Sequence, residues 1–268
     1  MSLTAARPVT VVPLRGALIR GLLAGLIAGI IAGGVGFMTG EALIEQAISL
    51  ETAASTSETH THQAAVASDG AKAEHSHDAG DDALVSRDVQ RAGLPLATTL
   101  TGGALGVIFA VVWNVCTRRV NGRATPNAVA LALAGWLAVA AVPFLIIPPN
   151  PPAVGSSESI DHRTAIWFVA VLLGLGAVIV WYVLRRWIQT QNPTSPLASI
   201  YPVAASIILI ATGWMLMPAT GTDYSGFPAD LLWNFRMSAA ATQLTLWVCL
   251  GLSFQFLIKR YSQRDRRP

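Results

Sequence analysis

The sequence has little charge and few cysteines. Only 12% of its 268 residues are Asp, Glu, Lys or Arg, whereas 53% are hydrophobic, and a soluble globular domain of this length usually carries more charge. The two cysteines, Cys116 and Cys249, are too few for a disulfide framework, and we interpret both as packing residues. The composition therefore counts against an ordinary soluble domain and indicates a membrane protein.

Common catalytic and nucleotide-binding motifs are also missing. The chain has no Walker A motif, no GxSxG, no HExxH and no dinucleotide-binding fingerprint. These absences argue against an enzyme and against a chain that hydrolyses ATP itself. We therefore expect no catalytic residues, no tightly bound cofactor and no nucleic-acid partner.

Long apolar runs are what the sequence does contain. A helix needs about 20 apolar residues to cross a bilayer, and six segments qualify: 16–38, 96–115, 128–147, 164–184, 200–217 and 235–258. A cleaved signal peptide is the alternative for the first segment, but that apolar run exceeds the usual length of about 7–15 residues and has no clear small-x-small exit. The sequence thus predicts an all-α, polytopic membrane helix bundle with six spans.

The charges are distributed unevenly around these spans. With the N-terminus inside, 13 of the 18 Lys and Arg residues lie inside, while 14 of the 15 acids and all five histidines lie outside. This satisfies the positive-inside rule and predicts that both termini are cytoplasmic. It also predicts cytoplasmic tails at 1–15 and 259–268, a bundle over 96–258, and a disordered outer loop over 39–95, which is polar and nearly free of aromatics.

The first span carries glycine at helical spacing. Gly21, Gly25, Gly29 and Gly33 form three overlapping GxxxG steps. Small residues allow close helix packing in lipid, where the hydrophobic effect does not drive association. We therefore predict that this helix packs closely on another, with Gly102, Gly103 and Gly106 of the second span as the candidate partner surface.

The polar segment after the first span contains paired histidines among acids. The candidate metal ligands there are His60, His62, Glu74, His75, His77 and Asp78. Imidazole suits Zn, Cu, Ni and Co, and the carboxylates add negative charge. The segment predicts loose capture of a divalent cation, and a solvated linker without metal is the alternative.

A few polar residues lie at or inside the predicted spans. Glu41 and Glu45 share one helix face and are candidates to pass an ion inward; acids that extend to the interface are the alternative. Four further residues are candidates for a transport path. The alternatives are that the arginines extend to the membrane interface and that the other two residues form hydrogen bonds between helices. The four residues are Asn114, Arg163, Arg236 and Gln243.

Several short motifs together resemble those of CbtA, a family of predicted cobalt transporter subunits. They are the glycine-rich first helix followed by EALIEQA (Glu41–Ala47), the histidine-bearing outer loop, VPFLIIPPNPP (Val142–Pro152), RTAIWF (Arg163–Phe168) and FRMSAAA (Phe235–Ala241). The resemblance implies transport of cobalt, often connected with cobalamin supply, and a small one-span partner that carries histidines, of the CbtB type. An oligomer is also consistent with the sequence.

The chain departs from the family pattern at two positions. Where family members carry a glutamate after paired prolines and a histidine before a proline, this chain has Asn150 and Val142. The family is commonly described with five spans, whereas the charges here favour six. Two other functions stay open: a metal-binding accessory or sensor that does not transport, and a copper-handling protein, since the four internal methionines lie at outer helix ends and thioethers favour Cu(I).

Overall fold

The computed structural model describes residues 12–64, 87–119, 127–152, 154, 160–218, 222, 224 and 226–264. These residues form helices and connecting turns, and none of them lies in a β-strand. Six helices among them are long and apolar enough to cross a membrane. The prediction of an all-α polytopic protein with six spans is therefore confirmed.

The described residues form seven α-helices. In chain order they are α1 (Leu14–Ala64), α2 (Arg87–Arg119), α3 (Ala128–Trp136), α4 (Val142–Ile146), α5 (Ile160–Gln191), α6 (Leu197–Leu216) and α7 (Ala229–Arg264), and a π-helical turn (Leu137–Ala141) joins α3 to α4 into one span.

The prediction of a loop over residues 39–95 was wrong for two parts of that range. Residues 39–64 continue α1, and residues 87–95 are the first turns of α2. Residues 41–54 of this segment are rich in Ala, Glu and Leu, which favour helix. A preceding membrane helix also removes the cost of helix nucleation, so low aromatic content was a poor argument against helix here.

The spans pack as an open row rather than a closed ring. Within the described chain, each helix contacts chiefly its neighbours in the order α2, α1, α7, the α3–α4 span, α5 and α6. The chain folds back so that α1 and α7 are antiparallel, with Arg20 next to Tyr261 and Thr39 next to Ser238. We call the end marked by Arg20 the terminal end and the end marked by Thr39 the distal end.

The predicted glycine stripe of α1 faces α2. A methyl group added at Gly25 would collide with the carbonyl oxygen of Gly102, and one added at Gly102 would collide with that of Gly25. Gly21 meets Gly106 in the same way. The two backbones are thus in direct contact, which only residues without a side chain allow.

Buried alanines of α1 lie in one hydrophobic core with large aromatic residues of α2 and α7. Phe254 of α7 is fully buried and packs edge-on against Phe109 and Trp113 of α2, with ring centroids 5.2 and 5.4 Å apart. Gly135 of α3 leaves the space that the Trp247 ring of α7 occupies. These contacts join α1, α2, α3 and α7 into one core.

The π-helical turn lies one turn before Pro143. The amide of Val142 donates to the carbonyl of Leu137, five residues back, and Pro143 has no amide hydrogen to restore the α-helical pattern. The carbonyl of Ala138 in this turn lies where a side chain on Gly174 of α5 would stand. The α3–α4 span and α5 therefore approach each other closely at the π-turn.

Candidate functional site

The distal ends of α1 and α2 hold a four-residue cluster of opposite charges. The carboxylate of Glu41 accepts from Arg87 at 2.7 Å and lies 3.1 Å from the Arg91 guanidinium, which is also 3.3 Å from the Glu45 carboxylate. Only 8% of the Glu41 side chain is exposed, against 50% for Glu45. We call Glu41, Glu45, Arg87 and Arg91 the distal charge cluster.

Helix geometry explains how the cluster forms. Glu41 and Glu45 are four residues apart on α1, and Arg87 and Arg91 are four apart on α2, so each pair lies on one helix face. The glycine contacts bring the two helices together. Two acids thereby meet two bases at the interface.

A hydroxyl pair joins α1 to α7 just below the cluster. The side-chain oxygens of Thr39 and Ser238 are 2.6 Å apart, and Ser238 is buried. Gly40 lies against the Ser238 hydroxyl, and Gly36 lies against Thr242 one turn further along. Glu41 is therefore held near the junction of α1 with both α2 and α7.

The described residues contain no closed metal site. No group of three or more His, Cys, Asp or Glu side chains that could hold a metal ion lies within the described ranges. Each carboxylate of the distal charge cluster is instead matched by a guanidinium. A divalent cation that bridged Glu41 and Glu45 would compete with Arg91, which contacts both carboxylates.

Four of the six predicted metal ligands in this segment are not covered by the structure. Glu74, His75, His77 and Asp78 lie outside the described residues. His60 and His62 have helical backbone in the last turns of α1. The prediction that this segment captures metal therefore stays a prediction.

Arg236, a predicted path residue, binds the proline-rich loop before α5. Its guanidinium donates to the Asn150 side-chain oxygen at 3.0 Å and to the Pro149 carbonyl at 3.4 Å, and it lies 5.3 Å from the Tyr224 ring centre. Arg163 is half-buried in the first turn of α5.

The two predicted polar residues inside spans have different surroundings. Asn114 is 3% exposed; it donates to the Val12 carbonyl at 3.3 Å and accepts from Arg118 at 2.8 Å. It therefore ties the start of α1 to α2. Gln243 is exposed on α7 and does not face the interior of the described bundle.

Met38 and Met215 do not lie together in the described structure. Met38 of α1 is 85% exposed and Met215 of α6 is 83% exposed, and these two helices lie at different positions in the row. The structure thus gives the copper alternative no support from these two side chains.

Sequence reasoning missed Arg87 and Arg91 as partners of the carboxylates, and it missed the π-turn. A usable signal was present, because the four-residue spacing of Glu41 and Glu45 recurs at Arg87 and Arg91. Pro143 signals a disturbed helix but does not say which disturbance occurs.

Comparison with protein families gives one result that covers nearly the whole chain. The model of CbtA, described as a probable cobalt transporter subunit, matches residues 14–259. No curated protein and no solved structure matches the chain. The match runs from the start of α1 into the last turns of α7 and includes all six candidate spans. This multi-pass membrane chain therefore belongs to the CbtA family of probable cobalt transporter subunits.

Proposed function

We propose that the chain is the membrane subunit of a transporter for divalent metal, with Co²⁺ as its main substrate. The observation that carries this proposal is the family match over residues 14–259, which coincides with a six-span helical membrane protein. The family is a class of transporter subunits rather than of enzymes.

The charge distribution supports an orientation with the terminal end in the cytoplasm. Arg15, Arg20 and Arg260 lie at that end, and Lys259 precedes Arg260 on α7. Cytoplasmic loops of membrane proteins carry an excess of Lys and Arg. We place the protein in a bacterial inner membrane, with the distal end and the histidine-bearing segment outside.

The acidic segment between Glu51 and Arg91 would concentrate cations at the distal end. It contains eight acids and three bases, and a negative field raises the local concentration of cations. His60, His62, His75 and His77 would bind the ion loosely through neutral imidazole. The segment is joined at both sides to the helices that carry the distal charge cluster.

In the next step, the ion would exchange with arginine in the distal charge cluster. Glu41 and Glu45 are one helical turn apart on the same face, and both are held by Arg91. A divalent cation could take the place of that guanidinium and bridge the two carboxylates. Arg91 would then be released from α1, which would loosen the distal contact between α1 and α2.

The open row of helices supports a partner protein in the membrane. In the described chain α6 packs chiefly on α5, and large side chains such as Leu216 remain 80% exposed. The resemblance to the family implies a CbtB-type partner with one span and histidines, and we propose that this small protein completes the transporter.

Transport by reconstituted protein tests this proposal. The purified chain, with and without the small partner, is placed in sealed vesicles, and accumulation of Co²⁺, Ni²⁺, Zn²⁺ and Cu⁺ is compared. We expect Co²⁺ to accumulate fastest. Binding of Co²⁺ without accumulation in either preparation would instead identify a metal-binding accessory or sensor, and a preference for Cu⁺ would identify a copper-handling protein.

The ion-exchange step has a sharper test in the same vesicles. The double variant Glu41→Gln/Glu45→Gln should accumulate Co²⁺ at least about tenfold more slowly at limiting metal, because the bridging carboxylates are gone. The matched control is Asp161→Asn/Asp230→Asn, which removes two acids from the first turns of α5 and α7. Equal rates for the two double variants would exclude a specific role for the cluster.

A further inference from the structure

A groove lies at the terminal end between the first turns of α1 and the last turns of α7. Its volume is about 570 Å³. The lining residues from both helices are Pro13, Arg15, Gly16, Ile19, Arg20, Leu23, Leu257, Arg260 and Tyr261. The groove is separate from the distal charge cluster and belongs to the opposite end of α1.

The groove carries positive charge that no acid of the described chain balances. Three of its lining residues are arginines, and none is an Asp or Glu. Among the described residues, the ion pairs are those of the distal charge cluster, and no carboxylate pairs with Arg15, Arg20 or Arg260. The groove therefore attracts an anion.

The charged and apolar residues of the groove are separated by depth. On α1, Leu23 lies three residues, or about 4.5 Å, further from the terminal end than Arg20. On the antiparallel α7, Leu257 lies three residues further from that end than Arg260. The arginines thus occupy the outer part of the groove, while leucines from both helices line the part nearer the middle of the membrane.

The Arg20 side chain is positioned by two contacts and keeps unused hydrogen-bond donors. One of its terminal nitrogens donates to the Gly16 carbonyl at 2.6 Å, and the guanidinium lies 4.1 Å from the Tyr261 ring centre. These contacts fix the side chain between α1 and α7. A guanidinium has five N–H donors, and the described residues accept from only one, which leaves donors for phosphate oxygens.

We infer that the groove binds an anionic glycerophospholipid, with its phosphate at Arg15, Arg20 and Arg260 and an acyl chain along Ile19, Leu23 and Leu257. Arginine binds phosphate through paired, charge-assisted hydrogen bonds. Basic pockets between membrane helices at the cytoplasmic side are typical sites for anionic headgroups. The polarity gradient of the groove matches that of a lipid, with a charged head outward and an apolar chain toward the bilayer centre.

The lipid would join two helices that are distant in sequence. α1 and α7 already contact each other along their length, but at the terminal end the three arginines repel one another. A bound phosphate replaces this repulsion with attraction to both helices. The lipid should therefore stabilise the contact between α1 and α7 at the terminal end, whether or not metal is bound.

Native mass spectrometry of the delipidated full-length chain in detergent tests the inference. Phosphatidylglycerol is titrated against phosphatidylcholine of the same acyl chains, and inorganic phosphate is added as a competitor. We expect one phosphatidylglycerol to bind at least about tenfold more tightly than phosphatidylcholine, and inorganic phosphate at equal concentration to leave it bound. Equal binding of both lipids, or displacement by inorganic phosphate, would overturn the inference.

Two variants with a matched control locate the site. Arg15→Gln/Arg20→Gln/Arg260→Gln removes the phosphate ligands and should weaken phosphatidylglycerol binding by at least about tenfold. The control Arg119→Gln/Arg185→Gln/Arg186→Gln removes the same charge at the inner ends of α2 and α5 and should change binding less than about twofold. An equal loss in the control would show a general charge effect and refute the site.

Leu23→Trp keeps every arginine but fills the apolar part of the groove. Leu23 is 47% exposed, so the larger side chain can be accommodated without disturbing the core. We expect phosphatidylglycerol affinity to fall about fivefold or more because the acyl chain loses its place. This variant decides the matter if the triple variant does not fold, and unchanged affinity would contradict the inference.

Discussion

Gly25 of α1 and Gly102 of α2 occupy each other's side-chain positions. A Cβ atom on either residue would overlap the carbonyl oxygen of the other. This contact sets the distance between the two helices, and it thereby helps to set the position of Glu41 relative to Arg87, about four turns away. Close helix packing and the distal charge cluster are thus parts of one arrangement.

We predict that Gly25→Leu destabilises the protein strongly. The backbone of α2 cannot move away without losing the contacts at Gly21 and Gly29, so the cost should reach or exceed the about 1–3 kcal/mol typical of overpacking. The matched control is Gly34→Leu, because Gly34 is on the same helix and has no heavy atom near its Cβ position. Thermal unfolding in detergent should show a lower Tm for the first variant alone; equal Tm values would contradict the packing.

We predict a difference between the two carboxylates of the distal charge cluster. Glu41→Gln replaces a buried carboxylate shared by two arginines with a neutral amide and should cost about 1.5–3 kcal/mol. Glu45→Gln neutralises a half-exposed carboxylate that contacts one arginine and should cost less than about 1 kcal/mol. Denaturation of the two variants side by side measures the difference, and a larger effect at Glu45 would refute the assigned burial.

We predict that replacing His60, His62, His75 and His77 with Gln raises the Co²⁺ concentration needed for half-maximal uptake. The control is His162→Gln, which changes the one histidine beyond this segment. If neutral imidazole is the ligand, uptake by the unchanged protein should weaken as pH falls through about 6.5, because protonation competes with metal. Identical half-saturation in the quadruple variant and the parent would remove these histidines from the mechanism.

We predict that Asn150→Asp stabilises the loop before α5. The Asn150 side-chain oxygen already accepts from Arg236 at 3.0 Å, and a carboxylate of the same shape would make this an ion pair, worth about 1 kcal/mol more. In a double-mutant cycle, Asn150→Asp should give no gain in stability when Arg236→Gln is also present. A rise in Tm that persists without Arg236 would refute the pairing.

We predict that substitution by leucine destabilises the protein at Asn114 but not at Gln243, two polar residues that the sequence alone did not distinguish. Asn114→Leu leaves the Val12 carbonyl without its donor and should cost about 1–3 kcal/mol. Gln243→Leu places an apolar side chain on an exposed face and should change stability by less than about 0.5 kcal/mol. Comparable losses would show that Gln243 is buried in an assembly of several chains.

The sequence by itself was sufficient for the membrane character, the six spans and the family. Apolar runs of about 20 residues are set by bilayer thickness, and this constraint acts on each segment separately. The glycine spacing likewise predicted close packing of α1, because small residues have a clear role between helices in lipid. These features are local, so they can be predicted from one stretch of chain at a time.

Only the tertiary structure decided how distant residues combine. It paired Glu41 with Arg87 and Arg91, placed Asn150 against Arg236, and brought Arg20 to Tyr261 across nearly the whole chain. It also extended α1 through Ala64, where composition had indicated a loop. Ion pairs and grooves depend on which helices become neighbours and at what rotation, and neither quantity is encoded in the hydrophobicity of a single segment.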